Sequence, residues 1–223
     1  MFKEVFPNVF AFISKDAGSN CFVLKGTKKI ALVDSSSFFN KKQLLAGLAK
    51  LSISKADRLL ILHTHGHADH IGCDEFFPNA KVAMHKNDAK MINEKNEEFA
   101  CTSFFPGTAL PLVSTMLKGG QKINLGGISL EVVQTPGHTT GSICFLLKKE
   151  KALLSGDCLF ADGFGRTDLP GGNSKKMVES LKKLQKMPLK ALLPGHGPIL
   201  LGDQQIAEHI RISIELASTN AFL

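Results

Sequence analysis

The segment Thr64-His65-Gly66-His67-Ala68-Asp69-His70 places three imidazoles and a carboxylate within six residues, just after the apolar run Arg58 to Leu62. Packing alone gives no reason for such density, because buried imidazoles and carboxylates cost free energy unless they are paired or bind a metal. A fold that keeps this segment must end a buried strand in a loop that turns these side chains toward one another. Neutral imidazole nitrogen and carboxylate oxygen are the donors that zinc and similar divalent ions accept. Alternation in an extended loop lets His65 and His67 reach one ion, while Asp69 and His70 can be directed to a neighbouring one. Small residues at Gly66 and Ala68 keep the intervening positions clear.

Three further candidate ligands stand alone, each at the end of an expected strand and each beside glycine or proline. They are His138 in Thr135-Pro136-Gly137-His138-Thr139, Asp157 in Ser155-Gly156-Asp157, and His196 in Pro194-Gly195-His196-Gly197. Taken singly each is a weak signal, since a histidine after a turn is commonly a surface or satisfied core residue. Joined to the first cluster they make five histidines and two aspartates, enough for two sites of three or four ligands with one carboxylate bridging. His63 reads as a core histidine that could also support a ligand, His85 as a surface or strand-end residue, and His209 as solvent-facing.

Periodicity places these residues in an α/β frame. Strands are expected at Val9 to Ile13, Cys21 to Leu24, Ile30 to Val33, Arg58 to Leu62, Lys81 to His85, Ile128 to Gln134, Ile143 to Leu147, Ala152 to Leu154 and Ala191 to Leu193. Helices are expected after Asn40 as N-cap, with Leu44, Leu45, Leu48 and Leu51 on one face, near Ile71 to Phe77, and over Asp88 to Asn93. Two more are expected over Ser174 to Met187 and about Gln204 to Ala217. Strands, helix, strands, helix, with no linker between, predict two sheets packed face to face and covered by helices within one domain, residues 1–223. Residues 99–118 have no clean period and read as a long loop or broken helix. They form either a lid or a stretch whose phenylalanines pack on the core, the second being preferred.

Composition narrows the function classes. Hydrophobic residues make up 43% and charged residues 21%, ordinary for a globular protein, and no apolar run is long enough to span a bilayer. The N-terminus lacks the basic and apolar regions of an export signal, and five cysteines without a CxxC pair argue against a disulfide framework, so a cytoplasmic location is expected. A formal charge of +7 bears on association rather than fold, and scattered lysines such as Lys175-Lys176 and Lys182-Lys183 read as solvated helix faces. Nucleic acid is therefore disfavoured as a partner. Oligomeric state is not fixed by the sequence.

The pattern HxHxDH followed by single His, Asp and His resembles the signature of the metallo-β-lactamase superfamily, over Val9 through His196. The resemblance implies an αββα sandwich, two mixed sheets covered by helices, with a binuclear site at one edge. Carried over by position, His65, His67 and His138 would bind one metal and Asp69, His70 and His196 the other, with Asp157 between them. It further implies two Zn2+ per chain. Iron is the alternative metal, although the di-iron branch carries a carboxylate at the position of His67. Asp69 would ligate a metal and also accept a proton from attacking water, as the catalytic residue of the set.

The segment Gly165-Arg166-Thr167-Asp168 is similar to one found in glyoxalase II-like hydrolases and persulfide dioxygenases. It implies a small acyl-thiol substrate, with Arg166 and Asp168 as candidate substrate contacts or as a structural ion pair. The function implied is zinc-dependent hydrolysis of a thioester such as a hydroxyacyl-thiol. The alternatives are an iron-dependent persulfide dioxygenase using His65, His138 and Asp157, and a metal-dependent nuclease or phosphodiesterase. The C-terminal helical domain of glutathione-specific glyoxalase II has no counterpart in this sequence, and tyrosine is absent, so glutathione itself is not implied.

Overall fold

A computed structural model describes residues 1–54, 57 and 59–219. One sheet has seven strands in sequence order: β1 (Lys3–Phe6), β2 (Val9–Phe12), β3 (Cys21–Lys25), β4 (Ile30–Val33), β5 (Leu60–Leu62), β6 (Lys81–His85) and β7 (Thr115–Leu117). The other contains β8 (Lys122–Asn124), β9 (Ser129–Gln134), β10 (Ile143–Leu147), β11 (Ala152–Gly156), β12 (Ala191–Pro194) and β13 (Leu200–Leu201), in the order β13-β12-β11-β10-β9-β8. Both sheets are mixed: β4 to β7 run parallel beyond an antiparallel β1 to β4, and β11 pairs parallel with β12. The helices are α1 (Lys41–Lys50), α2 (Ala68–Ile71), α3 (Lys86–Asn93), α4 (Ser174–Gln185) and α5 (Asp203–Ser218).

Alternation along single strands generates the layers. In β3, Phe22 and Leu24 face the second sheet while Cys21 and Val23 face outward to Leu44 and Leu48 of α1 and Ile92 of α3. In β10, Ile143, Phe145 and Leu147 point into the sandwich while Cys144 and Leu146 meet Met177, Leu181 and Leu184 of α4 and Ile206 and Ile210 of α5. Strands buried on both faces lose the polar alternation and read as continuous apolar runs, which is why β10 and β12 were unambiguous in the sequence. The architecture is the expected αββα sandwich.

Several local expectations change. The helix placed near Ile71 to Phe77 starts earlier, at Ala68, so Asp69 and His70 sit on a helical turn rather than in an extended loop, and a short 3-10 turn follows at Asp74–Phe76. Asn40 precedes α1 but makes no side-chain cap; its amide is drawn instead to Ser14, Asp16 and Ser36. The cap of α4 is Asn173, whose side chain accepts from the Lys176 N–H. Arg58, the expected start of the fifth strand, lies outside the described residues, and the strand is seen over Leu60–Leu62. Within 99–118, Phe99 packs on the core but Phe104 is exposed, so the preferred packing of these phenylalanines holds only in part, and β7 closes the segment. His85 is buried rather than on the surface, at the end of β6, where its ring accepts from the Asn87 N–H.

Strand direction fixes where chemistry can gather. β4, β5, β9, β11 and β12 all end at the same edge of the sandwich, and the segments leaving them carry Asp34, His63 through His70, His138, Asp157 and His196. The first sheet delivers four of the seven candidate ligands and the second sheet three.

Candidate metal centre

The extended turn after β5 brings His65 and His67 beside His138 of the loop after β9. One nitrogen from each of these three rings falls within a mutual 4.8 Å, as do donor atoms of His65, His70 and Asp157, and of Asp69, His70 and His196. The Nε2 atoms of His65, His67 and His138 are buried and have no hydrogen-bond partner among the described residues. Leaving one such group bare costs about 1–3 kcal/mol, so three converging on one point call for a shared electrophile.

The tautomers follow from the partners. His138 Nδ1 lies 2.6 Å from the Arg166 carbonyl, which can only accept, so Nδ1 carries the proton and Nε2 keeps its lone pair. Thr64 Oγ1 donates to Asp34 Oδ2 (2.8 Å), which leaves it to accept from His65 Nδ1 at 3.2 Å. His70 Nδ1 is held at 2.8 Å by the same Asp34 oxygen. In each case a hydrogen bond behind the ring aims Nε2 inward, the arrangement that orients metal-binding histidines. Burial, reinforced by neighbouring imidazoles, drives His65 well down and His67 to about 3, so both rings are neutral.

The second half is more acidic. His196 Nε2 lies 3.1 Å from Asp69 Oδ2 and 3.3 Å from His70 Nε2, and Asp157 reaches His70 at 3.1 Å, His138 at 3.5 Å and His196 at 3.6 Å. Among the described residues Asp69 and Asp157 make ion pairs only with histidines. Burial pushes His70 down, but Asp157, Asp34 and Asp69 outweigh it and raise the ring overall. This much negative charge, paired among the described residues with histidines alone, suits cations. The donor chemistry and the bare nitrogens therefore fit a pair of divalent metal ions.

Supporting residues escaped the sequence reading. Asp34 accepts from the Thr64 N–H (2.9 Å) as well as from Thr64 Oγ1 and His70, and Asp74 lies 2.8 Å from His63 Nε2. Burial disfavours a charged His63, yet Asp74 and Asp34 raise it to about 9, so it is a buried cation between two carboxylates, the core histidine expected. Asp34 follows an apolar strand as Asp157 does, and that shared position was the available signal. Nothing local marks Asp88 in α3, which accepts from the Gly66 N–H (3.1 Å), Thr139 Oγ1 (2.7 Å) and the Gly141 N–H (2.7 Å). It thereby ties the His65/His67 turn to the His138 loop.

Asn20 serves the other half: its side-chain amide donates to the carbonyls of Pro194 and Gly197, both at 2.9 Å, and its N–H to that of Gly195 at 2.6 Å. The adjacent Ser19 N–H donates to the Asp69 carbonyl at 3.0 Å. Gly195 itself is obligatory, because a Cβ there would collide with Asp157 Oδ1.

Above these groups lies a cavity of about 240 Å³ whose floor is His67, Asp69, His138, Asp157 and His196. Arg166 stands at its rim with the guanidinium bonded to Asp168 at 3.0 and 2.6 Å, both side chains exposed, and its carbonyl orients His138. The remaining sequence-derived ligands all converge on the floor or just beneath it.

The model of the family described as "Metallo-beta-lactamase superfamily" matches residues 15–196. The probable metallo-hydrolase MJ0888 of Methanocaldococcus jannaschii is 30% identical over 204 residues, covering 88% of this chain and 95% of that protein. A hydroxyacylglutathione hydrolase of Rhodopseudomonas palustris is 30% identical over 184 residues, covering 81% of this chain and 60% of that protein. The crystal structure of TTHA1623 in a di-iron-bound form superimposes with a TM-score of 0.72 at 27% identity, covering 89% of this chain and 96% of that one. With the two-sheet sandwich and the clustered histidines and aspartates already described, these matches establish that the chain belongs to the metallo-beta-lactamase superfamily.

Proposed function

We propose that the protein is a hydrolase with two zinc ions, one on His65, His67 and His138 and one on Asp69, His70 and His196, with Asp157 shared, and that it cleaves a thioester. The observation that carries the metal assignment is the set of three buried Nε2 atoms turned to one point without hydrogen-bond partners among the described residues. The imidazole-rich donor set favours zinc, while the di-iron form of the TTHA1623 structure keeps iron as the second choice. Bound ions supply Lewis acidity, acidifying water and polarising an acyl carbonyl. Asp69 lines the cavity floor beside His196, where its carboxylate can take a proton from the attacking water and return it to the leaving sulfur. With no tyrosine in the chain, no phenol can steady the developing oxyanion.

The hydroxyacylglutathione hydrolase relative supports a thioester, and Arg166 with Asp168 at the rim supports a contact to the substrate's polar end. No helix among the described residues is long and apolar enough to cross a membrane, and the five cysteines are free and buried, which supports a cytoplasmic setting. The test is a panel of thioesters and phosphodiesters offered to zinc-loaded and iron-loaded protein, with oxygen uptake recorded on glutathione persulfide. Thioester cleavage under zinc without oxygen uptake is expected. Oxygen consumption restored by iron, with no thioester cleavage under zinc, would move the protein to persulfide dioxygenation. Dominant phosphodiester cleavage would make it a phosphodiesterase.

A further inference from the structure

We infer that the substrate carries a compact apolar acyl group, gripped between phenylalanine walls above the metal ligands, and lacks a polyanionic handle. This rests on the thioester-hydrolase reading and specifies its substrate. The cavity floor is polar, but its walls are Phe104 and Phe105 from one segment and Phe160, Phe164 and Leu169 from another. The Phe160 ring stands edge-on to His196 with centroids 5.8 Å apart, so the apolar wall begins directly at the ligand shell. An acyl chain on the reacting carbonyl carbon has this wall within reach.

The wall continues to the surface. Phe105 packs against Phe39 at 6.4 Å, and Phe39 and Phe104 are 56% and 61% exposed. Aromatic side chains left half in water at the mouth of a cavity gain when an apolar ligand covers them, whereas a scattered exposed residue has no such neighbour. Charge argues in the same direction. The chain holds 27 lysines and arginines, yet among the described residues Arg166 alone of them lines the cavity, and it is already engaged by Asp168. A site built for phosphates or several carboxylates would draw on that supply. The cavity, about 240 Å³ and open on one side, has room for a thioester with a short acyl chain.

The experiment uses the metal-loaded protein and N-acetylcysteamine thioesters of acetyl, lactoyl, butyryl and hexanoyl groups, with the corresponding coenzyme A thioesters in parallel. We expect kcat/KM to rise about two- to fourfold per added methylene up to hexanoyl, with lactoyl below butyryl and coenzyme A conferring no advantage. Phe104→Ser, at an exposed position where folding is not at risk, and Phe160→Leu should flatten the series while metal content stays the same. Equal rates across the acyl series, or a preference for lactoyl, would overturn the apolar acyl assignment and leave thioester hydrolysis standing. A large advantage for coenzyme A would overturn the exclusion of a polyanionic handle. Failure to cleave any thioester with two metals bound would remove the thioester reading itself and this inference with it.

Discussion

Replacing Asp88 by asparagine separates the stability of the fold from the grip on the metals. In the native protein one carboxylate oxygen accepts from the Gly141 N–H and the other from the Gly66 N–H and Thr139. Asparagine offers a single acceptor oxygen, so in either amide orientation an NH2 group faces a backbone N–H, and a buried unsatisfied donor costs about 1–3 kcal/mol. Against this, burial holds the Asp88 carboxyl up to about 6, despite the three hydrogen bonds that lower it. A rise of about two units represents about 3 kcal/mol of unfavourable charge burial at neutral pH, which asparagine avoids. The two effects offset, and the unfolding free energy of the metal-free protein at neutral pH should change little.

Metal affinity should not be spared, because Asp88 joins the two turns that carry His65, His67 and His138. We expect the affinity of that site for zinc to fall about 10- to 100-fold, read by chelator competition. Urea titrations add a pH signature. A carboxyl raised in the folded state contributes stability that is present below about pH 4 and is lost as pH rises through about 6, so wild type should show this slope and the variant should lack it. Zinc affinity equal to wild type, with the pH slope retained, would refute this account of Asp88.

Two further substitutions probe the other half of the centre. Asn20→Ala removes both side-chain bonds to the Pro194 and Gly197 carbonyls, and should loosen the His196-side metal about 10- to 100-fold while the first metal stays bound; equal losses at both sites in stoichiometric titration would show a general defect instead. Asp69→Asn should lower kcat by about 10²-fold or more with two metals still measured per chain, and near-normal turnover at full occupancy would remove its role in proton transfer.

How much of this was legible in the sequence depends on the range of the contacts. β10 and β12 are apolar runs bounded by turns, so hydrophobicity alone located them. β8 and β13 are short edge strands with little apolar pattern, and only pairing with neighbours defines them. The candidate ligands were readable because metal-binding residue types crowd into one motif or recur after glycine and proline at strand ends. Asp88 and Asn20 were not. Their partners lie up to 53 residues away for Asp88 and 177 for Asn20, and they bond mainly to backbone groups, which leave no mark on the sequence of the partner. The helical start at Ala68 was hidden because His67 and Asp69 read equally well as extended.

On the proposed assignment, the division of the seven candidate ligands between the two sheets makes the centre a staple as well as a reaction site. The first half-site draws His65 and His67 from one layer and His138 from the other, and the second half-site likewise takes Asp69 and His70 from one and His196 from the other. An ion that needs donors from both layers binds only while the layers are together, so its affinity is also cohesion between them. At a free concentration one hundred times the dissociation constant this linkage amounts to about 2.7 kcal/mol per ion. The opposite end of the sandwich is joined by the N–H groups of Thr27, Lys28 and Lys29 donating to the Gly126 and Leu125 carbonyls, contacts independent of any ion, so the edge that carries the candidate ligands becomes the seam that metal supply can tighten or release.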